Sequence, residues 1–174
     1  MSDLAFLSPD AAYADSTFAP RLTSPLARAL GNTRPSGIED VSLSTGKLEV
    51  RGDLTSLQED ADTEVIRITP ERALILCEVE RVQSLRAELS GRFRSTVDVT
   101  GALAGLRIDR PDGERLLRRL TELDLDRLPA IGAVARIPVH VLRDGPTSFR
   151  LFLPQEYGHY LAEVVIDAAE GLEG

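Results

Sequence analysis

Between Val97 and Leu172 the chain alternates short extended runs with amphipathic helical runs, and this alternation limits the possible fold more than any other feature. A strand is predicted at Gly105-Leu106-Arg107-Ile108-Asp109, and a helix opens at Pro111-Asp112-Gly113-Glu114. Leu116, Leu117 and Leu120 form its inward stripe, while Asp112 and Glu114 occupy the first turn, where the helix dipole favours acids. Ala133, Ala135, Ile137, Val139 and Val141 then alternate with Arg136, Pro138 and His140. That pattern predicts a single strand over residues 133–142, with Pro138 marking an edge or a bulge. Asp144-Gly145 closes a hairpin, and Phe149, Leu151 and Leu153 share one face of the returning strand. Tyr157, Tyr160, Leu161, Val164, Val165 and Ala168 fall at helical spacing and predict a closing helix.

The first half follows the same logic. Ser24 is placed to cap a short helix that Pro25 opens and Gly31-Asn32 ends. Extended runs follow at residues 38–43 and 48–51, with Lys47, Glu49 and Arg51 alternating against Leu48 and Val50. Residues 65–68 and 73–77 read as a strand pair around Thr69-Pro70-Glu71. The second of these is apolar throughout, as a strand covered on both faces would be. Val82, Leu85 and Leu89 predict a helix over 80–90 that Gly91 stops, before a strand at 96–99. The expected fold is α+β: two β-α-β-type half-motifs with antiparallel-rich sheets and covering helices, in one domain over residues 23–174. Residues 1–22 read as a flexible arm, in which Phe6, Leu7, Tyr13 and Phe18 either cover a partner or are incidental.

Charge and composition remove several classes of function. The net charge is −8, and residues 155–174 hold five acids and no base. Nucleic-acid binding depends on clustered Lys and Arg that neutralise phosphates, so this surface would repel a polyanion. No apolar run approaches the roughly 20 residues of a membrane-spanning helix. Met1–Pro20 lacks the basic start and apolar centre of a secretory signal. One cysteine, Cys77, suits a reducing compartment, and the cytoplasm is the expected location.

No catalytic constellation is legible. Gly101–Gly105 precedes a strand instead of opening a helix, so it is not a dinucleotide fingerprint, and there is neither a phosphate-cradling Gly-Lys-Ser/Thr loop nor a Gly-x-Ser-x-Gly elbow. Two histidines, His140 and His159, make no metal set on their own. Asp124 and Asp126 read as turn residues. The pattern does suggest one surface. If Ile137, Val139, Phe149 and Leu151 face inward, then Arg136, His140, Arg150 and Phe152 face outward together, with the Arg and aromatic content of a partner interface. An ordinary solvated sheet face is the alternative.

The segments Asp98-Val99-Thr100, Leu106-Arg107-Ile108, Gly113-Glu114-Arg115-Leu116-Leu117 and Asp124-Leu125 resemble the folate-binding domain of glycine-cleavage aminomethyltransferases. With Ser24-Pro25-Leu26-Ala27, Leu48–Asp53, the Ala-Arg-Ile-Pro-Val run at 135–139 and Phe149–Pro154, the chain is similar to gamma subunits of heterotetrameric sarcosine oxidase. The resemblance covers residues 23–170. It implies a non-catalytic subunit that braces larger flavoprotein subunits. The complex would oxidise an N-methyl amine with FAD, FMN and NAD and pass the one-carbon unit to tetrahydrofolate, those cofactors lying mainly on the other subunits. Where aminomethyltransferases carry a Gly-Gly-Ile-x-Asp-Asp type segment, this chain reads Arg143–Ser148, so the resemblance transfers no catalytic acid to Asp144. A stand-alone folate-binding or aminomethyl-transfer protein is the rival reading.

Overall fold

The computed structural model describes residues 23–32 and 36–173. The arm expected over residues 1–22 and the turn residues Thr33, Arg34 and Pro35 lie outside them. In chain order the elements are α1 (Ala27–Asn32), β1 (Ile38–Asp40), β2 (Thr45–Arg51), β3 (Glu64–Thr69), β4 (Arg72–Glu78), α2 (Val82–Leu89) and β5 (Ser95–Asp98). There follow β6 (Leu103–Asp109), α3 (Gly113–Leu120), β7 (Ala130–Val134), β8 (Ile137–Arg143), β9 (Ser148–Pro154) and α4 (Gly158–Glu173).

The strands form two antiparallel sheets. The first has the order β1-β6-β9-β8-β7 and the second β3-β4-β2-β5. The period-two alternation along each strand then decides the layers. Leu106 and Ile108 of β6, Val139 and Val141 of β8 and Phe149 and Leu151 of β9 pack against α1, α3 and α4. Leu48, Val50, Ala73 and Ile75 of the second sheet pack against Val82, Leu85 and Leu89 of α2. The remaining faces meet each other through Ile66, Leu74 and Leu76 on one side and Leu142 and Phe152 on the other. The order of layers is therefore helices, sheet, sheet, helix. β4 is buried along Ala73–Cys77, as its apolar run requires.

Packing, more than propensity, holds the helices. Isolated helices of eight to sixteen residues are marginal in water, whereas each large aliphatic side chain buried adds about 1.5–3 kcal/mol. α4 buries Leu161, Ala162, Val165, Ile166 and Ala169. Its inward face is rotated from the stripe expected from spacing, since Tyr157 and Tyr160 are 44% and 50% exposed. α1 starts as expected, with the Leu26 amide donating to Ser24 Oγ at 3.1 Å.

The expected strand over 133–142 is two strands. Ala135 and Arg136 have φ of 49° and 69° and form a two-residue turn between β7 and β8, pairing Val134 with Ile137. Two successive left-handed residues suit the right-handed twist of a hairpin. The residue buried before the turn is Val134, and Ala133 is exposed. Pro138 lies opposite Ala133 at the end of β8, before the β8–β9 pairs begin at His140 and Phe152, so its missing N–H breaks no ladder there.

Candidate functional site

The side chains expected to face outward from β8 and β9 do share a face, but the second sheet covers it. His140 lies opposite Phe152, and Leu142 opposite Arg150. Phe152 is fully buried between the sheets and so is not part of an outer surface. A Cβ at Gly105 on the neighbouring strand would stand 2.9 Å from its ring, so that strand needs glycine for the ring to fit. Arg136 is not on the strand at all. It sits exposed in the β7–β8 turn, beside Arg118 and Arg119 of α3.

Arg150 closes one end of the inter-sheet layer. Its Nη2 donates to Glu64 of β3 at 2.6 Å, and its Nε donates to both oxygens of Asp144 at 2.8 and 2.9 Å. The guanidinium thus joins one sheet to the edge of the other, as its planar fork allows.

Sequence reasoning missed Lys47, the one lysine in the chain, which is fully buried beneath Phe152. Its ammonium donates to the carbonyls of Ser42 (2.7 Å), Thr45 (2.9 Å) and Thr100 (3.3 Å) and lies 5.8 Å from the Phe152 ring centroid. Three donors meet three acceptors, which is the condition for holding an ammonium away from water. Burial still pushes its pKa down from 10.5 to about 8, against the opposing pull of Asp40 and Asp98. Ser42 reinforces the crossing by accepting from the Gly105 amide at 2.9 Å. Alternation against Leu48 and Val50 placed Lys47 on a polar face; no local signal says that this face meets another sheet.

The opposite end of the inter-sheet layer opens as a cleft of about 340 Å³. Its walls are Ile68, Leu74, Val99, Leu103 and Pro154, with Glu49, Arg72 and His140 at the polar side. Glu49 accepts from Arg51 Nε at 2.6 Å and from Arg72 Nη2. Burial works to raise the Glu49 carboxyl, and the hydrogen bonds from Arg72 and Arg51 outweigh it, holding it below the usual carboxylate range. Burial and then Arg72 push the His140 imidazole down, with Glu49 opposing.

Cys77 is a buried thiol that burial pushes up, so it is held protonated. Among the described residues no group of three or more His, Cys, Asp or Glu could hold a metal ion, and no helix is long and apolar enough to cross a membrane. The start of α3 does not fit the pyrophosphate of a dinucleotide. A pyrophosphate needs a glycine turn open at a helix N-terminus, but a Cβ at Gly113, where α3 starts, would already meet the Thr147 carbonyl at 2.6 Å. Arg118, Arg119 and Arg136 line a shallow groove together with the exposed Glu122.

The fold belongs to a recognisable class: two packed antiparallel sheets with covering helices, as in aminomethyltransferase-like chains. A chain of heterotetrameric sarcosine oxidase from a Corynebacterium species superposes with a TM-score of 0.72 at 18% identity, covering 88% of this chain and 97% of that one. Glycine-cleavage aminomethyltransferase T from Bartonella henselae gives 0.55 at 17% identity, covering 82% of this chain and 48% of the enzyme. No protein-family model matches the chain, and no curated protein sequence matches it significantly.

Proposed function

We propose that the chain is an accessory, non-catalytic subunit, of the gamma type, in a sarcosine-oxidase-like flavoprotein complex. The observation that carries this reading is the extent of the shared fold. The chain corresponds to 97% of a chain that works inside a heterotetrameric oxidase, but to only 48% of an aminomethyltransferase. The shared fold takes in 88% of this chain as well. The complex oxidatively demethylates an N-methyl amine such as sarcosine in the cytoplasm and transfers the one-carbon unit to tetrahydrofolate. FAD, FMN, NAD and tetrahydrofolate sit mainly on the larger subunits. The role of this chain is to brace its partners.

Purification of the chain from its native cells through a tag, followed by an absorbance scan, tests this. A yellow eluate containing a large flavoprotein subunit in fixed ratio is the expected result. A colourless lone chain that binds tetrahydrofolate saturably would overturn the reading in favour of a stand-alone folate protein.

A further inference from the structure

Arg136 is an exposed arginine at a backbone position that favours glycine. Its φ of 69° follows one of 49° at Ala135, and among the described residues its guanidinium makes no hydrogen bond or ion pair. Left-handed backbone at a side-chain-bearing residue is strained, and such strain persists at functional positions where the surroundings hold it. Two bonds hold this turn against the end of α3. The Ala135 amide donates to the Leu120 carbonyl at 2.7 Å, and Thr121 Oγ1 donates to the Ala133 carbonyl at 2.6 Å. The strained turn thus sets a free guanidinium beside the groove that Arg118 and Arg119 line from α3. Between the arginines the groove, of about 640 Å³, is lined by Leu120, Leu123 and Ala133. Three guanidinium groups face one lining carboxylate, that of Glu122. Arg118 pairs with Glu114, which Arg143 shares, and Arg119 donates through Nη1 to the Gly171 carbonyl, yet both side chains remain exposed. Asp124 and Asp126 lie beyond the lining, and Arg127 pairs with the first.

We infer that this groove docks an acidic, extended polypeptide segment of a partner chain. Its carboxylates accept from Arg136, Arg118 and Arg119, and an apolar side chain between them lies on Leu120 and Leu123. Guanidinium groups match carboxylates through paired hydrogen bonds, and arginine is enriched where protein partners meet. A single small anion would engage one guanidinium and leave the apolar lining uncovered. A nucleic acid would bring a long polyanion to a molecule of net charge −8, whereas a short acidic segment needs only a local excess of positive charge. That the segment belongs to a larger oxidase subunit rests on the proposed function; the chemistry of the groove does not.

The probe is the acetylated and amidated peptide Glu-Leu-Glu-Leu-Glu, titrated into the full chain and followed by backbone amide NMR. Gln-Leu-Gln-Leu-Gln is its uncharged counterpart. The expected result is saturable shifts confined to the end of α3 and the β7–β8 turn, with the uncharged peptide far weaker. Arg136→Gly should weaken binding at least about tenfold, the effect of losing one charge-assisted hydrogen bond, while the urea midpoint does not fall. Loss of binding without loss of stability separates docking from a structural role. Arg119→Gln is the second variant and should weaken binding by a similar factor. Arg86→Gln removes the same charge from the exposed side of α2 and should bind like the unaltered chain. Absence of a saturable shift, equal binding of the two peptides, or full binding by Arg136→Gly would overturn the inference. Self-association of the chain that Arg136→Gly abolishes would also overturn it, by assigning the groove to a second copy. Recovery of flavoprotein subunits from native cells, undiminished by Arg136→Gly, would refute the docking role alone and leave the subunit reading intact. Peptide binding by a chain that recovers no such subunit would do the reverse.

Discussion

Lys47 is a charge held where a strand would ordinarily place an aliphatic side chain. Its carbonyl partners are Ser42 in the β1–β2 connection, Thr45 at the start of β2 and Thr100 in the β5–β6 connection, so the ammonium fastens two turns to the layer between the sheets. The unfolded chain returns it to water and to the ordinary pKa of 10.5, above the folded value of about 8. Below pH 8 both states are protonated and the burial cost is carried in full. Between pH 8 and 10.5 the unfolded state binds more protons, so stability rises with pH across that window, by about 3 kcal/mol from this group alone. Urea unfolding at both ends of the window checks the direction, with Lys47→Met as the reference that isolates this group's contribution. The stability difference between the two proteins should change by that amount. Parallel curves would mean that the ammonium is solvated in the folded protein.

At the scale of elements, the β7–β8 turn is the clearest case of strain a substitution can relieve. Arg136 is exposed, with a φ of 69°, in a turn type that favours glycine. Arg136→Gly should therefore raise stability by about 1 kcal/mol, seen as a higher urea midpoint at unchanged slope. A lower midpoint would mean that the guanidinium contributes contacts beyond the turn. The same turn shows why one element was misread. Hairpin turns of this type are signalled by Asn-Gly or Asp-Gly, and Ala135-Arg136 carries neither. Alanines at 133 and 135 kept the apolar alternation running through the reversal. Elsewhere the pattern was legible: the run at 73–77 is a doubly covered strand, and Phe149, Leu151 and Leu153 share the helix-facing core.

At the scale of the whole molecule, the strand order and the stacking of the sheets decide what each face can do. Alternation correctly put His140, Arg150 and Phe152 on one side of the first sheet, yet it carries no signal about what lies against that side. The answer comes from residues far away in sequence. Ile66 and Leu74 cover Phe152, while Glu64 pairs with Arg150 across 86 positions. The overall α+β class was within reach because local periodicity specifies elements, whereas the strand orders of the two sheets and their stacking had no local signal. The central claim, that this fold serves as a bracing subunit, is tested most directly by native mass spectrometry of the assembly isolated from its own cells. The account predicts one species containing this 19.0 kDa chain together with larger subunits that release flavin on denaturation. A species whose mass is that of this chain alone, or of copies of it alone, would contradict it.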